Sequence, residues 1–168
     1  MPTRPGVTIR LATIGDADRI MAIYNHEVLT STATFDLVPR SLADQEAWIT
    51  ERSGAFAALV AAVEAGAVLG FGSLSPYKER AAYRTSVEDS VYVDRACHGQ
   101  GVGKLLVTEL VSVAQLSGFH TVFARIEAGG AASRGLHAAC GFELVGIERE
   151  VGRKFHRWLD VAIMQRLL

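Results

Sequence analysis

Cysteine, surplus charge, long apolar runs and low-complexity segments are all scarce in this sequence, and each shortage narrows what the chain can be. Two cysteines occur in 168 residues, Cys97 and Cys140. They have no metal-ligand spacing and are too few for a disulfide framework, so a zinc module and a cross-linked secreted domain are both excluded. With 17 Lys and Arg against 18 Asp and Glu, the net charge is −1. Nucleic acid and acidic membranes therefore meet no bulk attraction, and an anionic ligand must be held by local groups. No uncharged run approaches the roughly 20 residues needed to span a bilayer. The segment Met1 to Arg10 is polar, contains two prolines and lacks the apolar core of a secretory signal. No repeat or Pro/Gly/Ser-rich linker divides the chain. The expectation is one cytoplasmic domain with reduced thiols. Hydrophobic residues at 49% and charged residues at 21% give ordinary globular composition, with length enough for a substantial core.

The stretch from Ser86 to Leu106 organises what is present. Val87 to Val93 is dense in β-branched and aromatic residues, as a buried strand should be. Gly99, Gly101 and Gly103 then crowd the turn before an apolar helix. Strand, glycine turn and helix in that order make an anion site, because the first helical turn leaves N–H groups unpaired and the helix dipole favours negative charge there. Glu88 lies upstream on the strand entering the same turn.

In chain order, Val7 to Leu11 predicts a short strand. Thr13 to Asp16 has capping-box form, and Ile20, Ile23, Tyr24 and Val28 follow at helical spacing. Leu29 to Pro39 reads as a loop. Ser41 to Asp44 repeats the capping pattern, with Leu42, Trp48 and Ile49 as the buried face of a second helix. Ala57 to Val63 and Ala67 to Leu74 are strands joined by a turn over residues 64–66, and Ser75 to Arg84 connects them to the central strand. Val102, Leu105, Leu106, Leu110 and Val113 mark a helix ending near Gly118. His120 to Ile126 is a strand and Ala131 to Cys140 a short helix. Phe142 to Ile147 and Trp158 to Leu167 are the last strands. Both strand-to-helix crossovers fall in the second half, which calls for parallel pairing there and antiparallel pairing elsewhere: a mixed α/β sheet.

Gly99 to Lys104 fails two phosphate-binding patterns. A P-loop needs glycine where His98 stands and Ser or Thr where Leu105 stands. The dinucleotide fingerprint needs a third glycine where Lys104 or Leu106 stands. What remains, x-x-Gly-x-Gly at the mouth of a helix, resembles the coenzyme A pyrophosphate loop of GNAT-type N-acetyltransferases. Tyr24 to Val28 with Thr34 to Asp36 resembles the opening of phosphinothricin acetyltransferases and of the related methionine sulfoximine/sulfone acetyltransferases. Ala82 to Val93 resembles their central strand, Leu136 to Phe142 their Leu-His-x-x-x-Gly-Phe segment, and Val151 to Asp160 their C-terminal signature. The resemblance runs in order from about Ile9 to the C-terminus. It implies the GNAT acyl-CoA N-acyltransferase fold, α/β with a mixed, mostly antiparallel sheet of about seven strands flanked by about four helices.

Acetyl transfer to an amine requires a base, since the protonated amine cannot attack a thioester. The resemblance makes Glu88 that base and brings His137 near the reacting groups. It pairs the backbone of Val91, Tyr92 and Val93 with the pantetheine arm of acetyl-CoA, the co-substrate. It sets Gly99, Gln100, Gly101, Val102, Gly103 and Lys104 around the pyrophosphate. Arg80 and Tyr83 are the candidates for the substrate carboxylate, with Phe35 and Asp36 opposite. Lys154, Phe155, Arg157 and Trp158 match a segment near a subunit interface, so a homodimer is implied. The reaction implied is transfer to the α-amine of a small amino-acid-like substrate without a metal, and neither nucleic acid nor membrane is an expected partner.

Three positions depart from the family's pattern: His98 for the usual Gln or Arg, Gly130 for an Asn that contacts coenzyme A, and His156 for a glycine. Two other readings share the fold, a protein or peptide N-acetyltransferase and an acetyl-CoA-binding module without turnover.

Overall fold

The computed structural model describes residues 6–64 and 66–168. The leader expectation for Met1 to Arg10 and the turn expectation over 64–66 therefore fall partly outside the described residues. Seven strands form one sheet: β1 (Val7–Leu11), β2 (Leu59–Val63), β3 (Val68–Pro76), β4 (Ser86–Val93), β5 (Thr121–Glu127), β6 (Glu143–Lys154) and β7 (Arg157–Leu167). Their order is β1-β2-β3-β4-β5-β7-β6. Four helices cover it: α1 (Ala17–Thr30), α2 (Leu42–Thr50), α3 (Val102–Leu116) and α4 (Ala131–Ala139).

The start of the chain folds as its capping signals dictate. Thr13 N–H donates to Asp16 at 2.8 Å, and Arg10 grips the same carboxylate at 2.7 and 2.8 Å, tying β1 to the entry of α1. Ser41 and Asp44 exchange backbone-to-side-chain bonds of 3.1 Å each to cap α2. The buried face of α2 differs from the expected one. Leu42 is 40% exposed, whereas Gln45 is fully buried beside Ile49. Leu42 sits in the first turn, ahead of the contact with α1.

Two cores sandwich the sheet. On one face α1 and α2 pack Ile20, Ile23, Tyr24, Val28 and Ile49 over Val60 and Phe71. On the other, α3 lays Val102, Leu106, Val107, Leu110 and Val111 over Leu59, Leu69, Val87 and Val122. Each such side chain, taken fully out of water, contributes about 1.5–3 kcal/mol. Strand alternation sends Val87, Val91 and Val93 of β4 to the α3 side and Tyr92 to the α1 side.

The two crossovers end differently. β4 and β5 pair in parallel, as expected from the first. The second was expected to give another parallel pair. Instead β7 inserts between β5 and β6 and is antiparallel to both. β6 also runs past Ile147 to Lys154, through a charged stretch whose alternation does not read as a strand. Among the described residues, no helix is long and apolar enough to cross a membrane.

Candidate functional site

The parallel pair at the centre of the sheet is left unfinished. β4 and β5 share only three rungs, Ser86 with Thr121, Val87 with Val122 and Glu88 with Phe123. Beyond Glu88 each strand stays bonded on its outer side. β4 follows β3 as far as Val93 opposite Gly70, and β5 follows β7 as far as Glu127 opposite Val161. Gly70 permits the first of these. A Cβ there would stand 2.8 Å from the Tyr92 carbonyl oxygen. The inner edges thus diverge around a cleft of about 960 Å³, walled by Asp89 to Val93 on one side and Ala124 to Glu127 on the other.

The glycine turn closes one end of this cleft. Gly99 and Gly101 have φ of +72° and +78°, the left-handed region that favours glycine. The first α3 hydrogen bond runs from Leu105 N–H to the Gly101 carbonyl. The amides of Val102, Gly103 and Lys104 therefore belong to the turn whose donors have no intrahelical acceptor. All of Gly99, Gly101, Val102, Gly103 and Lys104 line the cleft. Gln100 does not, its side chain donating back to the Ala96 carbonyl at 2.9 Å. His98 Nε2 donates to the Val93 carbonyl at 3.0 Å, so the ring is tied to the end of β4. Gly130 is set by crowding, since a Cβ there would meet the Glu127 carbonyl oxygen at 3.0 Å.

Glu88 and His137 occupy different sides of this architecture. Glu88 forms the last rung before the split, is half-buried, and makes no side-chain hydrogen bond or ion pair among the described residues. Burial pushes its carboxyl above the usual range, Arg125 draws it back, and Asp89 and Glu148 push it up. His137 is 4% exposed. Its Nε2 lies 3.1 Å from Asp89 Oδ2 and its Nδ1 2.8 Å from the Ser133 carbonyl. Burial opposes its charge, but the Asp89 carboxylate and the Ser133 carbonyl outweigh it and hold the imidazole above its ordinary pKa. Both ring nitrogens meet acceptors of the chain, so the ring links α4 to β4.

A loop between α1 and α2 overhangs the cleft and is pinned from several sides. Tyr24 hydroxyl bonds Thr34 Oγ1 at 3.0 Å and Asp36 at 2.5 Å. The buried ammonium of Lys154 donates to the Thr34 carbonyl at 2.8 Å. Thr32 Oγ1 donates across the cleft mouth to Glu127 at 3.1 Å, and Arg95 makes a bidentate pair with Glu27 at 2.9 and 3.0 Å. Phe35 lies against β6, where a Cβ on Gly152 would overlap its ring at 2.2 Å. Arg80 and Tyr83 do not line the cleft. With Lys78 and Glu79 they form a separate pocket of about 470 Å³. It adjoins the Glu88 rung through Tyr77, which stacks on Phe123 at 4.1 Å and meets Tyr83 edge-on at 5.8 Å.

Sequence reasoning passed over Asp89, Arg125 and Glu148. A charge inside the otherwise apolar strand ending at Ile126 was the available signal for Arg125. Nothing local marked its partner Glu148, which lies across β7. His156 and Phe155 form the two-residue tip of the β6–β7 hairpin, both with positive φ, of 61° and 49°.

The acetyltransferase (GNAT) family model matches residues 20–142. The chain is 42% identical over 159 residues to an L-methionine sulfoximine/L-methionine sulfone acetyltransferase of Pseudomonas aeruginosa, covering 94% of this chain and 92% of that protein. It is 38% identical over 175 residues to a phosphinothricin N-acetyltransferase of Alcaligenes faecalis, covering 99% and 89%. Among solved structures, a GNAT-superfamily phosphinothricin acetyltransferase from Sinorhizobium meliloti, in complex with acetyl-CoA, superposes with a TM-score of 0.91 at 39% identity, covering 97% and 89%.

Proposed function

The chain belongs to the acetyltransferase (GNAT) family, and on that premise we propose that it transfers the acetyl group of acetyl-CoA to the α-amine of a small amino-acid-like acceptor of the phosphinothricin, methionine sulfone or methionine sulfoximine type. The observation that carries this reading is the split beyond Glu88, which leaves an unpaired strand edge, a glycine turn at one end and, at the vertex, a carboxylate with no side-chain partner among the described residues. An extended pantetheine arm completes such an edge as an added strand, along Val91, Tyr92 and Val93. The pyrophosphate fits the amides of the turn from Gly99 to Lys104, with Gln100 contributing backbone alone.

Acetyl-CoA supplies an activated thioester, and the amine nitrogen bonds to the acetyl carbon as the carbon–sulfur bond breaks. Glu88 accepts the amine proton, directly or through a water, and the departing sulfur leaves as coenzyme A thiol once protonated. A carboxyl raised by burial has greater proton affinity, which suits it to this step. His137, with Asp89, holds the wall of the cleft. Phe35 covers the acceptor, and the Arg80–Tyr83 pocket faces its distal end.

The pinned α1–α2 loop favours a small acceptor over a protein chain, which would need an open groove. The protein is further read as a cytoplasmic homodimer. Support for the dimer comes from β6, an edge strand of 12 residues that exposes Leu144, Val145, Ile147 and Val151 beside Trp158. The decisive experiment incubates purified protein with acetyl-CoA and phosphinothricin, methionine sulfone or methionine sulfoximine, following thiol release. Release with at least one of them is expected; none with any amino-acid amine overturns the reading.

A further inference from the structure

In an α-amino acid the carboxylate and the amine hang on the same carbon. A cation that holds the one must therefore stand close to the base that serves the other. We propose that Arg125, oriented by Glu148, anchors the α-carboxylate of the acceptor, an assignment that rests on the acceptor class proposed above.

Arg125 follows Phe123 by two residues on β5, so the two side chains share a face of the sheet. Phe123 is the rung partner of Glu88, and Arg125 is the next side chain on that face once the strands part. Its guanidinium makes a bidentate contact with Glu148 of β6, at 3.3 and 2.5 Å. The pair is neither buried nor free in water, with side chains 32% and 35% exposed, and Arg125 lines the cleft. A guanidinium has five N–H donors and Glu148 engages one face of the fork. Arg125 makes no other hydrogen bond among the described residues. The remaining edge can take a second carboxylate without Glu148 leaving.

The other cations nearby are either engaged or placed elsewhere. Arg95 is held by Glu27, and Lys104 stands on the glycine turn at the far end of the cleft. Lys154 is buried with its ammonium on the Thr34 carbonyl. Arg40 and Arg52 lie over Trp48, at 5.3 and 4.3 Å from its ring centre. Arg80 belongs to the separate pocket. Burial raises the Glu88 carboxyl, and Arg125 is the cation whose charge draws it down, in keeping with their closeness.

Glu148 gives the pair a second property. Its negative charge fixes the fork but also repels an incoming carboxylate, so the resting site is selective at some cost in affinity. Free amino acids satisfy it. A peptide N-terminus, whose α-carbonyl is an amide, does not.

Steady-state kinetics at saturating acetyl-CoA test this with methionine sulfone and its carboxamide, both followed by thiol release. Arg125→Gln should raise KM for methionine sulfone about tenfold or more, the worth of a charge-assisted hydrogen bond, and leave the carboxamide within about twofold. Glu148→Gln should do the reverse, lowering KM for the acid alone. Arg125→Lys should recover part of the acid preference, as a point charge without the fork. Thermal melts matching wild type establish that the variants are folded. Equal changes on both acceptors, or loss of acid preference on Arg80→Gln and not on Arg125→Gln, overturn the anchor while the acetyltransferase reading stands. Wild-type protein inert towards every amino acid tried overturns the acceptor class and the anchor with it.

Discussion

Two adjacent carboxylates, Glu88 and Asp89, show how the strand period assigns roles. Successive side chains of β4 point to opposite faces. Asp89 faces α4, where it meets His137, and Glu88 points to the opposite face with no side-chain partner among the described residues. Replacing the carboxylate by its amide isostere tests that division. Glu88→Gln should lower kcat by about 100-fold or more, in the range of a lost general base, with the fold intact by circular dichroism. The ionised form is the one that accepts a proton. The wild-type rate should therefore climb as pH rises through a Glu88 pKa that burial has moved above the usual carboxylate value, and the variant should lack that limb. An unchanged pH–rate profile would place the base elsewhere. Glu88 was singled out in the sequence because it sits inside a motif. Asp89, Arg125 and Glu148 were not, since their partners are set by register and by the insertion of β7, neither of which leaves a local trace.

Elements position these residues by tethering. The α1–α2 loop has no regular hydrogen bonding of its own, and its shape comes from Tyr24, Lys154 and Glu127, drawn from three separate elements. Gly152 supplies the floor under Phe35. Gly152→Ala should lift that ring, because the added methyl would occupy its place. The expected result is a several-fold higher KM for the acceptor, about 1 kcal/mol of lost packing, with acetyl-CoA affinity by calorimetry unchanged. A weakening of acetyl-CoA binding instead would mean that the loop serves the cofactor side. The capped turn leading into α1 and the capped start of α2 were readable from Thr13 and Ser41, because caps are local chemistry. The length of β6 was not. Residues 148–153 put three charges in a row, Glu148, Arg149 and Glu150, before Val151, Gly152 and Arg153 at an exposed edge, so no alternation marked them as strand.

At the scale of the molecule, the dimer proposed above rests on the exposed apolar side chains of the edge strand β6 and of Trp158 on its neighbour β7. Light scattering should give about twice the mass of the 18.1 kDa chain. Trp158→Glu, which puts a charge on a side chain 60% exposed, should shift it to monomer. A monomeric wild type would refute the dimer. The mixed sheet itself was anticipated from two crossovers, but the strand order was not, since a helix connection fixes direction without fixing adjacency. The three-rung pairing of β4 with β5 has a thermodynamic consequence. The fold is a sheet lacking one strand at its centre, and acetyl-CoA, on the reading above, is that strand. Binding should therefore act on folding as well as on chemistry. The melting temperature should rise with acetyl-CoA concentration in the absence of any acceptor. Amide exchange should slow at residues 91–93 and at the glycine turn more than elsewhere in the sheet. A chain kept in excess coenzyme is then a more stable protein than the same chain starved of it, and its lifetime becomes a record of the acetyl-CoA supply around it.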